Sequence, residues 1–308
     1  MDILFFGSSD YSYECLKSLI NNYNIVGIIT QPDKRGSKHG LEPTFLKQKM
    51  INSDIPIYQP ENIKDEFELI KKINPDLILT AAYGQILPKE IVEFPKYKSV
   101  NIHASLLPKY KGASPIRQVI LEGEEYTGLT SIYMNEKVDM GEIILQQKIK
   151  IDERETFSTL YDKFLKEIPE FTLKTVNAVL NNIKSIPQEN INSYVGKIKS
   201  NDSLIDWNKS CLEIDRLIRA FSNTPGALCT LGNKKFKIFK SEVINIFHEN
   251  KPGSLIRVDK NFIRIACTKG YIDIYELQIP GKRIIQTKDF INGNKKWLNE
   301  LLEQNNNY

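Results

Sequence analysis

The sequence predicts an α/β fold: an N-terminal, Rossmann-like, mostly parallel sheet with helices on both faces, followed by a small C-terminal β-barrel of the oligonucleotide-binding type. In the first half of the chain, short apolar runs alternate with helical patterns, which is typical of a parallel sheet covered by helices. In the last third, about five short strand-like runs are separated by turns that contain Gly or Asn, which favours a small barrel. The length of 308 residues suits two domains of roughly 150 residues each.

The N-terminal elements are predicted from apolar runs and from apolar residues at helical spacing. Strands are expected at 3–6, 25–30, 77–82, 98–103, 129–134 and 143–151, and helices at 11–22, 44–52, 62–73 and 155–183. Pro169 is expected to kink or split the last of these helices, because proline has no N–H group and its ring crowds the preceding turn.

The C-terminal elements are predicted in the same way. A helix is expected at 212–221, strands at 227–231, 236–246, 254–258, 262–266 and 271–277, and a final helix at 287–304. The segment from 186 to 202 is polar and has no clear periodicity, so the domain boundary is placed there. We therefore expect a catalytic domain at 1–188, a linker at 189–204 and a basic barrel domain at 205–308.

Composition and charge restrict the class of protein. With 41% hydrophobic and 26% charged residues and no apolar run near the ~20 residues of a membrane helix, we expect no contact with a membrane. The opening MDILFFGSSD has no basic region, so we expect no secretory signal and a cytoplasmic location.

The four cysteines are scattered, which predicts reduced thiols and no metal site. Residues 209–308 hold 17 Lys and Arg against 10 Asp and Glu, which indicates either a polyanionic partner or simply a lysine-rich surface.

The segment 101–116, NIHASLLPKYKGASPI, is the strongest candidate for a functional site. Asn101 and His103 lie two residues apart at the end of a predicted strand, so their side chains point the same way. Ligands bind beyond the carboxyl ends of strands in open α/β sheets, and an amide donor beside an imidazole indicates acyl-type chemistry. Asp139, in NEKVDMGEI, is the candidate acid that orients the imidazole. The alternatives are a structural histidine and an aspartate that only stabilises its own turn.

These motifs resemble the folate-dependent formyltransferases. The resemblance covers residues 1 to about 283 and also includes FFGSSDYS, ITQPD, AAYGQILP, IDW and IRAF. It is closest to the members that act on methionyl-tRNA. It implies transfer of the formyl group of 10-formyltetrahydrofolate to the α-amino group of methionine on initiator tRNA, for translation initiation, without a metal. The alternatives are a formyltransferase for a sugar-nucleotide amine and a non-catalytic RNA-binding protein of the same fold.

The resemblance also implies roles for individual residues. Asn101 would donate hydrogen bonds to the developing oxyanion, His103 would take the amine proton directly or through water, and Asp139 would orient His103. Folate contacts are implied at Tyr83, Gly84, Gln85, Ile86 and Leu87, and again at Ser105, Leu106, Leu107 and Pro108. In the basic loop at 33–40, Lys34, Arg35 and Lys38 are implied to contact tRNA. We expect the protein to be a monomer.

Overall fold

The computed structural model describes residues 1–35, 40–189, 191, 193–222 and 224–306. They form two compact units. Unit 1 consists of Met1–Pro115, Tyr126–Lys150 and Tyr161–Gly196, and unit 2 consists of Ile116–Glu125, Ile151–Leu160 and Lys197–Tyr308. The chain therefore passes between the units more than once, and the predicted boundaries at 188 and 205 stay a prediction.

The N-terminal sheet lies in unit 1 and is mostly parallel. The strands of this unit are β1 (Asp2–Gly7), β2 (Asn24–Ile29), β3 (Lys34–Arg35), β4 (Leu41–Glu42), β5 (Ile57–Tyr58), β6 (Leu77–Ala81), β7 (Ser99–His103), β8 (Lys111–Gly112), β9 (Tyr126–Tyr133), β10 (Ile143–Lys150) and β11 (Tyr194–Val195). Seven of them form one sheet in the order β10-β9-β7-β6-β1-β2-β5. The pairs from β7 to β5 are parallel, and β9 and β10 add an antiparallel edge. The predicted fold class is confirmed for this part of the chain.

The helices of the chain are α1 (Asp10–Ile20), α2 (Phe45–Met50), α3 (Phe67–Ile73), α4 (Lys89–Glu93), α5 (Pro115–Glu122), α6 (Phe157–Leu180), α7 (Cys211–Ala220), α8 (Thr287–Gly293) and α9 (Lys295–Asn306). Pro169 lies inside α6, so the predicted split is wrong. The helix continues because the side chains on either side of the proline, including Phe164, Ile168 and Phe171, are fully buried and their packing stabilises both halves. Every helix among the described residues is too short or too polar to cross a lipid bilayer.

Unit 2 contains an antiparallel sheet. Its strands are β12 (Ala227–Leu231), β13 (Lys234–Ile244), β14 (Leu255–Val258), β15 (Ile263–Ala266), β16 (Tyr271–Gln278) and β17 (Ile284–Gln286). The order is β12-β13-β16-β15-β14, and β17 pairs with β16. Register shifts on both sides of Lys240 bend β13, and the sheet curls into a half-barrel as predicted.

The predicted helix at 287–304 is two helices, which meet at Asn294. The Asn294 side chain donates a hydrogen bond to the Phe290 carbonyl at 2.9 Å, and its oxygen accepts one from Lys234 at 2.6 Å. Side chains that bond to nearby backbone compete with the helical pattern, and here the competition ends α8.

Candidate active site

The site lies at the carboxyl ends of the neighbouring parallel strands β6 and β7. Thr80 on β6 pairs with Asn101 on β7, and Asn101 and His103 pair with Ile132 and Thr130 of β9. Because β7 lies inside the sheet, strand pairing fixes its backbone on both sides, and its alternate side chains point to one face. The sheet thus presents Asn101 and His103 side by side, as their spacing predicts.

Asp139 comes from the loop after β9 and contacts both of these side chains. Its Oδ1 atom accepts a hydrogen bond from Nδ2 of Asn101 at 3.2 Å. Its Oδ2 atom lies 3.5 Å from Nδ1 of His103 and accepts a hydrogen bond from the Gly112 amide at 2.8 Å. The His103 and Asp139 side chains are only 8% and 9% exposed. The structure therefore brings the three predicted catalytic residues together in a largely buried site.

Neighbouring groups determine how Asn101 and His103 are oriented. The Thr80 hydroxyl donates to Oδ1 of Asn101 at 2.7 Å, which turns the amide NH₂ group toward Asp139. Nε2 of His103 lies 2.8 Å from the carbonyl oxygen of Tyr110. A carbonyl can only accept, so Nε2 carries a hydrogen, and Nδ1 is the nitrogen left to exchange a proton.

The turn that carries Asp139 has unusual backbone geometry. Asp139 has φ 54°, in the left-handed region that L residues rarely adopt, although Asp tolerates it better than most. A Cβ atom at Gly141 would lie 1.5 Å from the Tyr133 carbonyl oxygen, so only glycine fits there. The chain therefore turns tightly at Gly141, and this turn directs the Asp139 carboxylate back toward β7.

The predicted folate segment 83–87 contains both exposed and buried residues. Ile86 is 58% exposed, whereas Leu87 is 3% exposed and belongs to the core. The Tyr83 ring packs edge-on against Phe6, and burial raises the pKa of its hydroxyl, which has no hydrogen-bond partner among the described residues. The Gln85 side chain accepts a hydrogen bond from the Ile63 amide at 2.8 Å.

The backbone of residues 84–87 lies in a loop, and none of its amides donates to a group in the part of the chain that the structure describes. Gly84 has φ 96°, a conformation that glycine adopts without strain. This loop therefore offers unpaired main-chain donors beside the exposed Ile86 side chain, the combination that holds a planar polar ring.

The second predicted folate segment, 105–108, is held in place by hydrogen bonds to side chains of β9 and β10. The Thr130 hydroxyl donates to the Ser105 carbonyl at 2.6 Å and accepts from the Leu107 amide at 3.2 Å. The Gln146 side chain donates to the Leu107 carbonyl at 2.7 Å. Leu107 is buried, and Leu106 and Pro108 are half-buried. These contacts fix the conformation of the turn, and most of its main-chain N–H and C=O groups already form hydrogen bonds.

A surface cavity of about 400 Å³ lies between α4 and the loop after β9 and was not predicted from the sequence. Its lining residues are Lys89, Val92, Glu93, Asn135, Glu136, Lys137 and Met140. Met140 directly follows Asp139, so the cavity reaches the catalytic turn. The lining residues come from α4 and from the loop after β9, and no local pattern marks either as a ligand-binding segment.

The basic loop begins at β3. Lys34 and Arg35 are exposed and lie opposite Glu42 and Leu41 of β4. Lys38 lies outside the described residues. The loop is anchored by Asp33, which accepts from Gln59 Nε2 at 2.6 Å and from Lys47 Nζ at 2.7 Å. These two hydrogen bonds lower the pKa of the Asp33 carboxyl from its ordinary value.

The chain offers no reactive thiol and no metal cluster among the residues that the structure covers. All four cysteines are buried, and burial raises the pKa of Cys15, Cys229 and Cys267 to about 12. Thiolates are the reactive form, so these groups are unreactive at neutral pH. The described residues contain no group of three or more His, Cys, Asp or Glu placed to hold a metal ion.

Comparisons with known proteins agree with this arrangement. Residues 1–176 match the "Formyl transferase" family model, and residues 197–295 match "Formyl transferase, C-terminal domain". A methionyl-tRNA formyltransferase of Clostridium novyi is 35% identical and covers 98% of this chain and all of its own length. One from Alkaliphilus oremlandii is 39% identical over 96% of this chain and 97% of its own.

Solved structures are also similar. The sugar 3N-formyl transferase WlaRD, crystallised with dTDP and 5-N-formyl-THF, superposes with a TM-score of 0.67 at 26% identity and covers 92% of this chain and 99% of its own. An N-formyltransferase from Helicobacter canadensis has a TM-score of 0.66 at 24% identity over 88% of this chain and 97% of its own, a likeness of fold alone.

Proposed function

The chain belongs to the formyl transferase family, and we propose that it transfers a formyl group from formyltetrahydrofolate to the α-amino group of methionyl-tRNA. The mutual contact of Asn101, His103 and Asp139 at the ends of β6 and β7 carries this proposal. The relatives that align over nearly the whole chain are named for this reaction. The activity serves translation initiation, with initiator methionyl-tRNA as acceptor.

The three residues divide the chemistry between them. Formyltetrahydrofolate supplies an activated formyl carbon, which the amine attacks. The NH₂ group of Asn101, which Thr80 keeps in one orientation, donates a hydrogen bond to the formyl oxygen as negative charge develops there. His103 and Asp139 accept the proton that the amine loses and return it to N10 of the folate as the bond between N10 and the formyl carbon breaks, so that tetrahydrofolate leaves. Because Nε2 of His103 is bonded to Tyr110, this proton enters on the Nδ1 side, next to Asp139.

The folate site is built on two features of unit 1. The unpaired amides of 84–87 suit the edge of a pterin ring, and Ile86 covers its face. The turn 105–108 forms the opposite wall, with Ser105 and Leu107 held by Thr130. The cavity that reaches Met140 provides space for the rest of the molecule. The formyl group is on the 10 position of the folate, and the reaction needs no metal.

The tRNA contacts are proposed on both units. Lys34, Arg35 and Lys38 contact the acceptor end, and the basic residues of 205–308 bind backbone phosphates, while 1–188 carries the catalysis. Exposed lysine and arginine side chains without carboxylate partners suit phosphate contacts, and neither Lys34 nor Arg35 forms an ion pair with a described residue. The protein acts as a monomer in the cytoplasm.

Formyl transfer is tested by incubating the protein with 10-formyltetrahydrofolate and charged initiator tRNA, and then measuring N-formylmethionine released from the tRNA. A parallel reaction offers a nucleotide-linked amino sugar, because a structural relative is a sugar formyl transferase. We expect transfer to the tRNA and none to the sugar. Transfer to the sugar alone would replace the proposed acceptor, and transfer to neither would overturn the reaction.

A further inference from the structure

The segment before Gly196 runs along the catalytic loops of unit 1. Its described residues are 186–189, 191 and 193–195, here called the strap. Ile186 exchanges two backbone hydrogen bonds with Ile143, both at 2.8 Å, and β11 pairs with β8 at the other end. The predicted domain boundary falls in this segment, because 186–202 is polar and has no clear periodicity, yet the backbone of the strap is paired at both ends.

Gln188 connects the strap to the Asp139 turn. Its Nε2 atom donates to the carbonyl oxygen of Asp139 at 2.9 Å and to that of Gly141 at 2.7 Å. Both partners are carbonyl oxygens, so the NH₂ group of the amide must face them. A single side chain thus bridges the two carbonyls that flank Met140.

This bridge lies at a strained position of the backbone. Asp139 has φ 54°, a left-handed conformation that is unfavourable for a residue with a Cβ atom. In this conformation the carboxylate accepts hydrogen bonds from Asn101 and Gly112 and faces His103. A donor that ties Asp139 to Gly141 favours the turn in which all these contacts form.

The far end of the strap holds the loop on the other side of His103. The Tyr110 amide donates to the Ser193 hydroxyl at 2.8 Å, and the Lys111 amide donates to the Ser193 carbonyl at 2.8 Å. Lys111 is 3% exposed and donates from Nζ to the Ile191 carbonyl at 2.9 Å. Through the Tyr110 carbonyl, this loop fixes the ring of His103.

We propose that Gln188 is a positioning residue for catalysis: it holds the Asp139 turn in the left-handed conformation that places the carboxylate against Asn101 and His103. The strap is then part of the active site and does more than link two parts of the chain. The inference rests on the proposed formyl transfer, since Asp139 and His103 are assigned their roles there.

The test compares variants of Gln188 of similar length. Gln188→Met keeps the shape and removes the donors, whereas Gln188→Lys restores a donor that reaches two carbonyls. We expect Gln188→Met to lower kcat on the order of tenfold, with KM for both substrates unchanged, because the reacting groups are misplaced while all of them remain present. Gln188→Lys should recover most of kcat. Gln147→Met is the matched control, since the Gln147 side chain donates to the Glu167 carboxylate on the surface of the same unit.

A second readout does not depend on activity. In protein labelled with ¹⁵N-histidine, the resonances of His103, identified with a His103→Asn variant, report the surroundings of its ring nitrogens. We expect Gln188→Met to shift the Nδ1 resonance, because the Asp139 carboxylate beside it moves, and we expect Gln188→Lys and Gln147→Met to leave it as in the wild type. Unchanged His103 resonances and kcat within twofold in Gln188→Met would overturn the inference. A wild type without formyl transfer would overturn the proposed function, while the resonances would still decide whether Gln188 positions the pair.

Discussion

Nδ1 of His103 lies 3.5 Å from Oδ2 of Asp139, on the opposite side of the ring from the Nε2 atom that bonds to the Tyr110 carbonyl. This distance is within ion-pair range but longer than a usual hydrogen bond. The same oxygen already accepts from the Gly112 amide at 2.8 Å, so the carboxylate is held in place independently of the ring. In the proposed reaction, Asp139 is therefore already in place beside the ring that takes up the proton.

Replacing Asp139 by Asn should lower kcat by about 10²-fold or more, because the pair then loses the charge that stabilises a proton on His103. The amide keeps the size of the carboxylate but has one acceptor oxygen, so it can accept from only one of Asn101 and Gly112, and the melting temperature should fall. Steady-state formyl transfer at saturating folate and tRNA measures the effect. A kcat within threefold of the wild type would contradict the role of Asp139.

Thr80 should matter through the orientation of Asn101. Asn101→Ala should lower kcat by about 10²–10³-fold, the usual cost of removing an oxyanion donor. Thr80→Val should lower it by about tenfold, because the hydroxyl that fixes the amide is gone while Asn101 remains. Thr127→Val is the control, since the Thr127 hydroxyl is buried on β9 without a partner among the described residues. Equal kcat for Thr80→Val and Thr127→Val would refute the orienting role.

Ile86 and Leu87 are neighbours and should have opposite effects. Leu87→Ala should reduce the free energy of unfolding by about 2–5 kcal/mol, because Leu87 is 3% exposed and packs in the core. Ile86→Ala should leave stability within about 0.5 kcal/mol but raise KM for the folate by about tenfold, because the exposed side chain covers the ring. Urea unfolding and folate saturation curves measure the two effects. An unchanged folate KM in Ile86→Ala would remove that residue from the site.

Lys34 and Arg35 should contribute to tRNA binding through phosphates. Replacing both by Ala should raise KM for methionyl-tRNA and leave KM for the folate unchanged. The slope of log affinity against log salt should become less negative by about 0.7–0.9 for each phosphate that the variant no longer neutralises. Lys17→Ala is the control, because Lys17 is exposed on α1 and pairs with Glu14. An identical salt slope in the wild type and the double variant would exclude phosphate contacts there.

Asp33 should make stability depend on pH. Hydrogen bonds from Gln59 and Lys47 lower the pKa of Asp33 in the folded protein, so its contribution is present above the ordinary aspartate pKa of about 3.9 and is lost as pH falls below it. Urea midpoints of the wild type and Asp33→Asn should differ at pH 7 and converge below about pH 4. A difference that does not change between pH 7 and pH 3.5 would show that the charge of Asp33 is not involved.

The local sequence pattern is enough to predict part of the site. The two-residue spacing of Asn101 and His103 places them on one face, because side chains alternate along any strand. Asp139 is a candidate from its motif after a predicted strand, and the family resemblance implies its role, but nothing in its neighbourhood identifies Asn101, 38 residues earlier, as its partner. The cavity lined by 135–137, the buried state of Lys111 and the bridge made by Gln188 have no local signal.

The sequence by itself determined the fold class, the longer strands of both sheets and the two side chains of β7, because periodicity and turn residues act over a few positions. Only the tertiary structure decided which main-chain groups stay free for a ligand, how Thr80 turns the Asn101 amide and which loops hold Asp139. Those features depend on hydrogen bonds between segments far apart in the chain, such as the one that joins Gln188 to Asp139 across 49 residues. Such bonds form only after the sheet has brought the loops at the ends of its strands together.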